Sequence, residues 1–74
     1  MNKKQLKEYV IKKAVDERKS FHTMERWAQE YFREGKKDQA KEWSQYADVS
    51  RARWGVYIDM IKMLGAQEEY YKAS

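Results

Sequence analysis

The sequence predicts an all-α fold in which two long helices pack as an antiparallel hairpin. The 74 residues include no proline and only three glycines, so little interrupts a helix. Apolar residues recur at spacings of three and four on both sides of one central turn. Because a chain of this length forms one domain at most, residues 1–74 are interpreted as a single helical domain.

The first helix is predicted from about residue 2 to residue 33. One stripe of residues at helical spacing runs through it, and Glu17 is its only polar member. Residues 19–22 are poorer helix formers, so a break near Ser20 is the main alternative. The stripe keeps its phase across this segment, which favours one continuous helix. It consists of Leu6, Val10, Ala14, Glu17, Phe21, Met24, Ala28 and Tyr31.

The turn between the helices is predicted at residues 34–38. Gly35 can adopt the left-handed conformation that ends a helix, and Asp38 is expected to cap the next one. The second helix is predicted from about residue 38 to residue 64 and to end at Gly65. The residues of its stripe, of which only Ser50 is polar, alternate at spacings of three and four through several heptads. They are Ala40, Trp43, Ala47, Ser50, Trp54, Tyr57, Ile61 and Leu64.

A short turn makes the two helices antiparallel neighbours, so residues whose numbers sum to about 71 are expected to face each other. This register sets Trp43 against Ala28, a large side chain against a small one, as interdigitated packing requires. It also sets Glu17 against Trp54, where the carboxylate is expected to bond to the indole N–H or to a basic neighbour. Residues 66–74 form a short helical or extended tail that carries Tyr70 and Tyr71.

The apolar surface exceeds what one helix pair can bury. Val49, Val56, Met60 and Met63 form a second stripe, and aromatic residues crowd near the turn. These features predict a homodimer that forms a four-helix bundle. The alternative is that Tyr70 and Tyr71 fold back and cover the excess. The predicted protein-interface residues are Trp27, Trp43, Tyr46, Trp54, Val56, Met60 and Met63.

The residues that flank the turn resemble the turn and adjoining helices of a tetratricopeptide repeat. Aromatic, glycine and small residues follow in matching order over residues 27–47. Proteins of that family stack helical hairpins and bind peptides, so the resemblance implies a protein partner. The sequence has no second repeat, and a lone hairpin turn produces the same pattern through packing. The matching residues are Trp27, Ala28, Tyr31, Phe32, Gly35, Ala40, Trp43 and Ala47.

The net charge of +4 makes nucleic-acid binding an alternative function. Positive and negative residues are mixed in every segment, and charges such as Glu30 and Glu34 are interpreted as an ordinary solvated face. No helix-turn-helix spacing is present. Candidate nucleic-acid contacts are Lys12, Lys13, Arg18, Lys19, Arg51 and Arg53.

Catalytic and metal-binding patterns are missing from the sequence. There is no cysteine, His22 is the only histidine, and no glycine-rich phosphate loop occurs. We therefore predict no cofactor, no metal site, no catalytic residue and no enzymatic activity. No apolar run is long enough to span a bilayer and no signal-peptide core follows Met1, so a cytoplasmic location is expected.

Protein–protein interaction is the function that these patterns favour. The sequence is typical of a small regulatory or adaptor protein that uses exposed aromatic side chains as anchors. By analogy, small inhibitors of bacterial enzymes that phages and mobile elements encode have a similar build. The alternatives are a nucleic-acid-binding accessory protein and a structural or assembly dimer.

Overall fold

The computed structural model describes all 74 residues and consists of three helices without strands. Helix α1 spans Lys3–Arg33, α2 spans Lys37–Met63 and α3 spans Gln67–Ala73. The predicted hairpin of long helices is confirmed, with helix ends within one residue of those expected. Helix α1 is continuous through Ser20, so the alternative of a break there is wrong. The molecule is a rod with extents of 48 × 18 × 17 Å.

A capping box begins α1 at its first turn. The side chain of Asn2 accepts from the backbone N–H of Gln5 at 2.8 Å. The side chain of Gln5 accepts in return from the backbone N–H of Asn2 at 3.1 Å. These two bonds satisfy amides that have no partner within the helix.

Both long helices end in the same glycine-dependent motif. Gly35 and Gly65 have φ angles of 78° and 64°, in the left-handed region. Around Gly35, the N–H of Lys36 donates to the carbonyl of Tyr31 at 2.9 Å. Around Gly65, the N–H of Ala66 donates to the carbonyl of Ile61 at 3.0 Å. This pattern of bonds is the Schellman motif, which satisfies the last carbonyls of a helix while the chain changes direction.

The start of α2 differs from the prediction at Asp38. We expected Asp38 to cap the helix, but Lys36 occupies the cap position and no side chain caps the first amides. Asp38 instead lies inside the first turn. The physical reason is the compact motif at Gly35, which lets α2 begin at Lys37. A carboxylate in the first turn still interacts favourably with the positive end of the helix dipole.

The register of the hairpin agrees with the predicted one. The rings of Trp27 and Trp43 lie 4.8 Å apart, and a carboxylate oxygen of Glu17 lies 3.9 Å from the Arg53 guanidinium. The residue numbers in each of these pairs add to 70, against about 71 predicted from the short turn. The seam contains several buried small residues, which let the helices approach closely. These are Ala14, Ala40, Ala47 and Ser50.

Helix α3 folds back and completes the hydrophobic core at the open end of the hairpin. Ala66 and Tyr70 are buried with Val10, Ala14 and Ile61 in one cluster. Tyr70 also accepts a hydrogen bond from the indole N–H of Trp54 at 3.0 Å. The tail is therefore helical, which is one of the two forms predicted for it, and Tyr70 covers part of the excess apolar surface. Its neighbour Tyr71 points outward and is 72% exposed.

Substitution of the glycines with alanine tests the turn geometry. Gly35→Ala should lower the free energy of unfolding by about 1 kcal/mol, because alanine is strained in the left-handed region. Gly55→Ala is the matched control, since Gly55 lies inside α2 and a methyl group there meets open space. Alanine is the better helix former, so this control should raise stability by about 1 kcal/mol. Urea denaturation at one protein concentration measures both changes, and equal effects would contradict the assigned turn.

Removal of one hydroxyl tests the docking of α3. Tyr70→Phe should lower the free energy of unfolding by about 1 kcal/mol, because the Trp54 indole N–H loses its acceptor. Tyr71→Phe, at the exposed neighbouring position, should change it by less than about 0.5 kcal/mol. Thermal and urea denaturation of the two variants provide the comparison. Equal stability of the two would show that Tyr70 is not docked as described.

Candidate protein-interaction surface

Helix α3 covers only one side of the hairpin. Ile11 of α1 lines a groove with Glu69, and Ile58 of α2 lines another with Tyr70. The sides of α1 and α2 that carry these two isoleucines therefore adjoin α3. At about 100° per residue, positions half a turn away from Ile11 and Ile58 point away from α3, toward the other flank of α1 and the outer side of α2. No helix of the chain packs on that opposite side.

The opposite side carries large apolar residues that remain in contact with water. Tyr9 and Trp27 lie about 160° from Ile11 around α1, and Val49 and Val56 lie about 160–180° from Ile58 around α2. We call this surface the uncovered face. Its large apolar side chains are between 40% and 87% exposed. They are Tyr9, Trp27, Tyr46, Val49, Val56 and Met63.

The α2 part of the uncovered face has the spacing of a helix-pairing stripe. Val49, Val56 and Met63 recur every seven residues along a continuous helix, and all three are exposed. A seven-residue repeat keeps one line of side chains facing a partner helix over several turns. The seam that binds α1 uses other residues of α2, so this second stripe is available to another helix.

An aromatic cluster lies at the turn end of the uncovered face. Trp43 contacts Trp27 edge to face with a ring separation of 4.8 Å, and contacts Tyr46 in the same way at 5.4 Å. The hydroxyl of Tyr46 donates to the carboxylate of Glu42 at 3.0 Å. This hydrogen bond, with the negative charge of Glu42, raises the pKa of the Tyr46 phenol above its ordinary value.

An open cleft of about 460 Å³ adjoins this aromatic cluster. We call it the turn cleft. Trp27, Tyr31 and Trp43 provide aromatic walls, while Glu30 and Glu34 provide carboxylates. The side chain of Lys36 completes the lining: its ammonium lies 5.7 Å from the centre of the Tyr31 ring and 3.2 Å from a carboxylate oxygen of Glu34.

The structure divides the predicted interface residues into two groups. Trp27, Tyr46, Val56 and Met63 belong to the uncovered face, and Trp43 is the half-buried centre of the aromatic cluster. The remaining two residues serve the interior of the fold.

Trp54 and Met60 pack against the hydrophobic core of the hairpin. Trp54 also stacks on Phe21 with 6.3 Å between ring centres and donates its indole N–H to Tyr70. Internal packing accounts for the positions of both side chains, so neither belongs to the proposed contact surface.

The six candidate nucleic-acid contacts do not form one basic patch. Arg51 and Arg53 lie about 160° apart around α2, on opposite flanks. Arg53 lies beside the carboxylate of Glu17, whereas Arg18 and Lys19 line a groove with Ser74. Lys12 and Lys13 are adjacent on α1, but Lys13 places its ammonium 5.6 Å from the centre of the Tyr9 ring. Their positive charge is therefore distributed around the rod.

The remaining ionisable residues have ordinary surface positions. His22 is exposed beside the ring of Phe21, with 5.1 Å between ring centres. Glu17 is a boundary carboxylate near Arg53, which is one of the two arrangements expected for it. No three histidine, aspartate or glutamate side chains come together as metal ligands would. None of the three helices combines the length and apolar character that a bilayer crossing requires.

Comparison of the chain with protein-family models, curated proteins and solved structures found no significant match.

The turn cleft is the feature that sequence reasoning missed. Glu30 and Glu34 look like ordinary solvated charges in the sequence, and Lys36 looks like a loop residue. A usable signal was present: Trp27, Glu30, Tyr31 and Glu34 follow at spacings of three, one and three, which places them on adjoining parts of one helix surface. Only the chain reversal at the turn adds Trp43 and Lys36 to them.

Removal of the Glu42 charge tests the hydrogen bond in the aromatic cluster. Glu42→Gln should lower the pKa of the Tyr46 phenol toward 10.0, because the carboxylate that accepts the hydrogen bond is replaced by a group without negative charge. Folding raises the pKa of Tyr46. Any stability that the hydrogen bond between Tyr46 and Glu42 contributes is therefore present below pH 10.0 and is lost as the pH rises through the pKa of the folded state. Tyrosine ring resonances followed by NMR against pH measure the change. Glu25→Gln is the control, and an equal shift in both variants would contradict the contact.

Proposed function

We propose that this chain is a small non-enzymatic adaptor or regulatory protein that binds another polypeptide through the uncovered face. The observation that supports the proposal is the apolar stripe that stays exposed after α3 has docked on the other side. Large exposed apolar patches on small domains often mark protein interfaces. Tryptophan and tyrosine, which the aromatic cluster supplies, are the residues that most often dominate binding energy.

The shape of the uncovered face suits a helical partner. The seven-residue spacing of Val49, Val56 and Met63 presents one line of side chains along a straight rod. A partner helix can insert its own side chains between them, as in coiled coils and helical bundles. The aromatic cluster at one end then sets the position of the partner along the rod.

A second copy of the chain is the simplest helical partner. Two hairpins related by a two-fold axis would bury the same stripe on each copy and form a four-helix bundle. Such an arrangement also enlarges the core of a chain in which only eight residues are buried. Nucleic-acid binding is the weaker alternative, because the basic residues are spread around the rod, and Arg53 and Lys13 lie beside an acidic and an aromatic neighbour, respectively.

A charge on the exposed stripe tests the proposal. Val56→Glu should weaken self-association roughly tenfold or more, because a carboxylate would have to be buried without a partner. The isolated hairpin should remain folded, since Val56 is 58% exposed in it. Gln29→Glu is the matched control, because Gln29 is also exposed. It lies 18 residues, or about five turns, from Ile11 and therefore points to the same side of α1 as Ile11, away from the uncovered face.

Multi-angle light scattering over a range of concentrations gives the readout. The wild-type chain and Gln29→Glu should have the mass of a dimer at concentrations where Val56→Glu is monomeric. A wild-type chain that stays monomeric up to high micromolar concentration would contradict self-association. Equal dimerisation of all three chains would place the interface elsewhere.

A further inference from the structure

The turn cleft holds a positively charged side chain of the protein itself. The Schellman motif at Gly35 bonds the backbone N–H of Lys36 to the carbonyl of Tyr31, which folds Lys36 back over the last turn of α1. Its ammonium therefore faces the Tyr31 ring and the Glu34 carboxylate together. The cleft is thus already arranged around a cation.

The chemistry of the cleft is complementary to a basic side chain. Aromatic ring faces attract cations through their quadrupole, and the cleft has three such rings, from Trp27, Tyr31 and Trp43. Carboxylates at Glu30 and Glu34 add charge-assisted hydrogen bonds. A chain of net charge +4 here presents two acidic side chains and three aromatic ones in one concavity.

Lys36 occupies the cleft only loosely. Its side chain is 53% exposed, and that of its ion-pair partner Glu34 is 57% exposed. Exposed ion pairs and exposed cation–π contacts each contribute little free energy. An external cation that makes more contacts can therefore displace the ammonium from the cleft.

We propose that the turn cleft binds an arginine side chain of the partner polypeptide, which displaces Lys36. Arginine is the basic residue that best fits these walls, because its planar guanidinium stacks on aromatic rings and bonds to carboxylates through a fork of N–H groups. The inference rests on the proposed function, since Trp27 belongs to both the cleft and the uncovered face. It names the chemistry by which the partner is recognised at that end.

The test uses a small probe that does not depend on the partner. N-acetyl-arginine N-methylamide is titrated into the isotope-labelled full chain, and the indole N–H resonances of its three tryptophans are followed by NMR. The resonances of Trp27 and Trp43 should shift, while that of Trp54 should not, because Trp54 is bonded to Tyr70 away from the cleft. The citrulline analogue, which has the same shape without the charge, should produce no saturable shift.

Two matched substitutions test the role of Lys36. Lys36→Ser should bind the arginine probe roughly two- to fivefold more tightly than wild type, because the competing ammonium is gone. Lys37→Ser removes the same charge one residue further on and should bind like wild type. Glu30→Gln should bind more weakly, because one carboxylate of the cleft is lost.

Several results would overturn the proposal. They are equal shifts with the arginine and citrulline probes, equal affinity of Lys36→Ser and Lys37→Ser, or a shift of Trp54 as large as those of Trp27 and Trp43. The two proposals fail separately. If the chain binds the arginine probe but stays monomeric, only the proposal of self-association is contradicted. If the chain dimerises but does not bind the probe, only the proposal of an arginine-binding cleft is contradicted.

Discussion

The reversal of the chain at Gly35, and again at Gly65, sets which surfaces meet in this protein. Each glycine adopts a positive φ angle at the end of a long helix, and each lets the next residue bond back to that helix. The first reversal pairs α1 with α2 and brings Trp43 and Lys36 to the residues of the turn cleft. The second directs α3 back along the hairpin, so that Tyr70 enters the core.

A rod built from two helices and a short third one has little interior. Only eight residues are buried, and the largest fully buried side chains are those of Ile61 and Val10. The surface-to-volume ratio of such a small chain leaves many apolar side chains partly in water, so intrinsic stability is limited. The proposed association through the uncovered face would address this limit, because each added helix removes apolar area from water. Stability and partner binding are therefore linked in the function proposed here.

The two ends of the molecule have different roles in this scheme. At the open end, α3 seals one side of the hairpin through Ala66 and Tyr70, which gives the molecule its most continuous core. At the turn end there is no third helix, so the aromatic cluster and the turn cleft remain accessible. The apolar stripe along α2 runs from Val49, near the middle of the helix, to Met63 at the open end. A partner that extends from this stripe to the turn would meet the carboxylates of Glu30 and Glu34 there.

The amino-acid sequence by itself determined the helices, the position of the turn and the register of the hairpin. These features depend on local chemistry: helix-forming residues without proline, a glycine at each reversal, and apolar spacing that marks one face. The sequence did not determine the cap of α2, because the compact turn placed Asp38 inside the first turn of the helix instead of before it.

Only the tertiary structure decided which side of the hairpin α3 covers. Tyr70 and Tyr71 are neighbours of the same type, and periodicity along the chain does not say which of them enters the core. With Tyr70 in the core, Trp54 packs inward and donates its indole N–H to the Tyr70 hydroxyl, while Val56 stays exposed. It depends on contacts between residues distant in sequence, which a one-dimensional pattern does not contain. The turn cleft could not be predicted for the same reason: its walls come from two helices, and its cation, Lys36, comes from the loop that joins them.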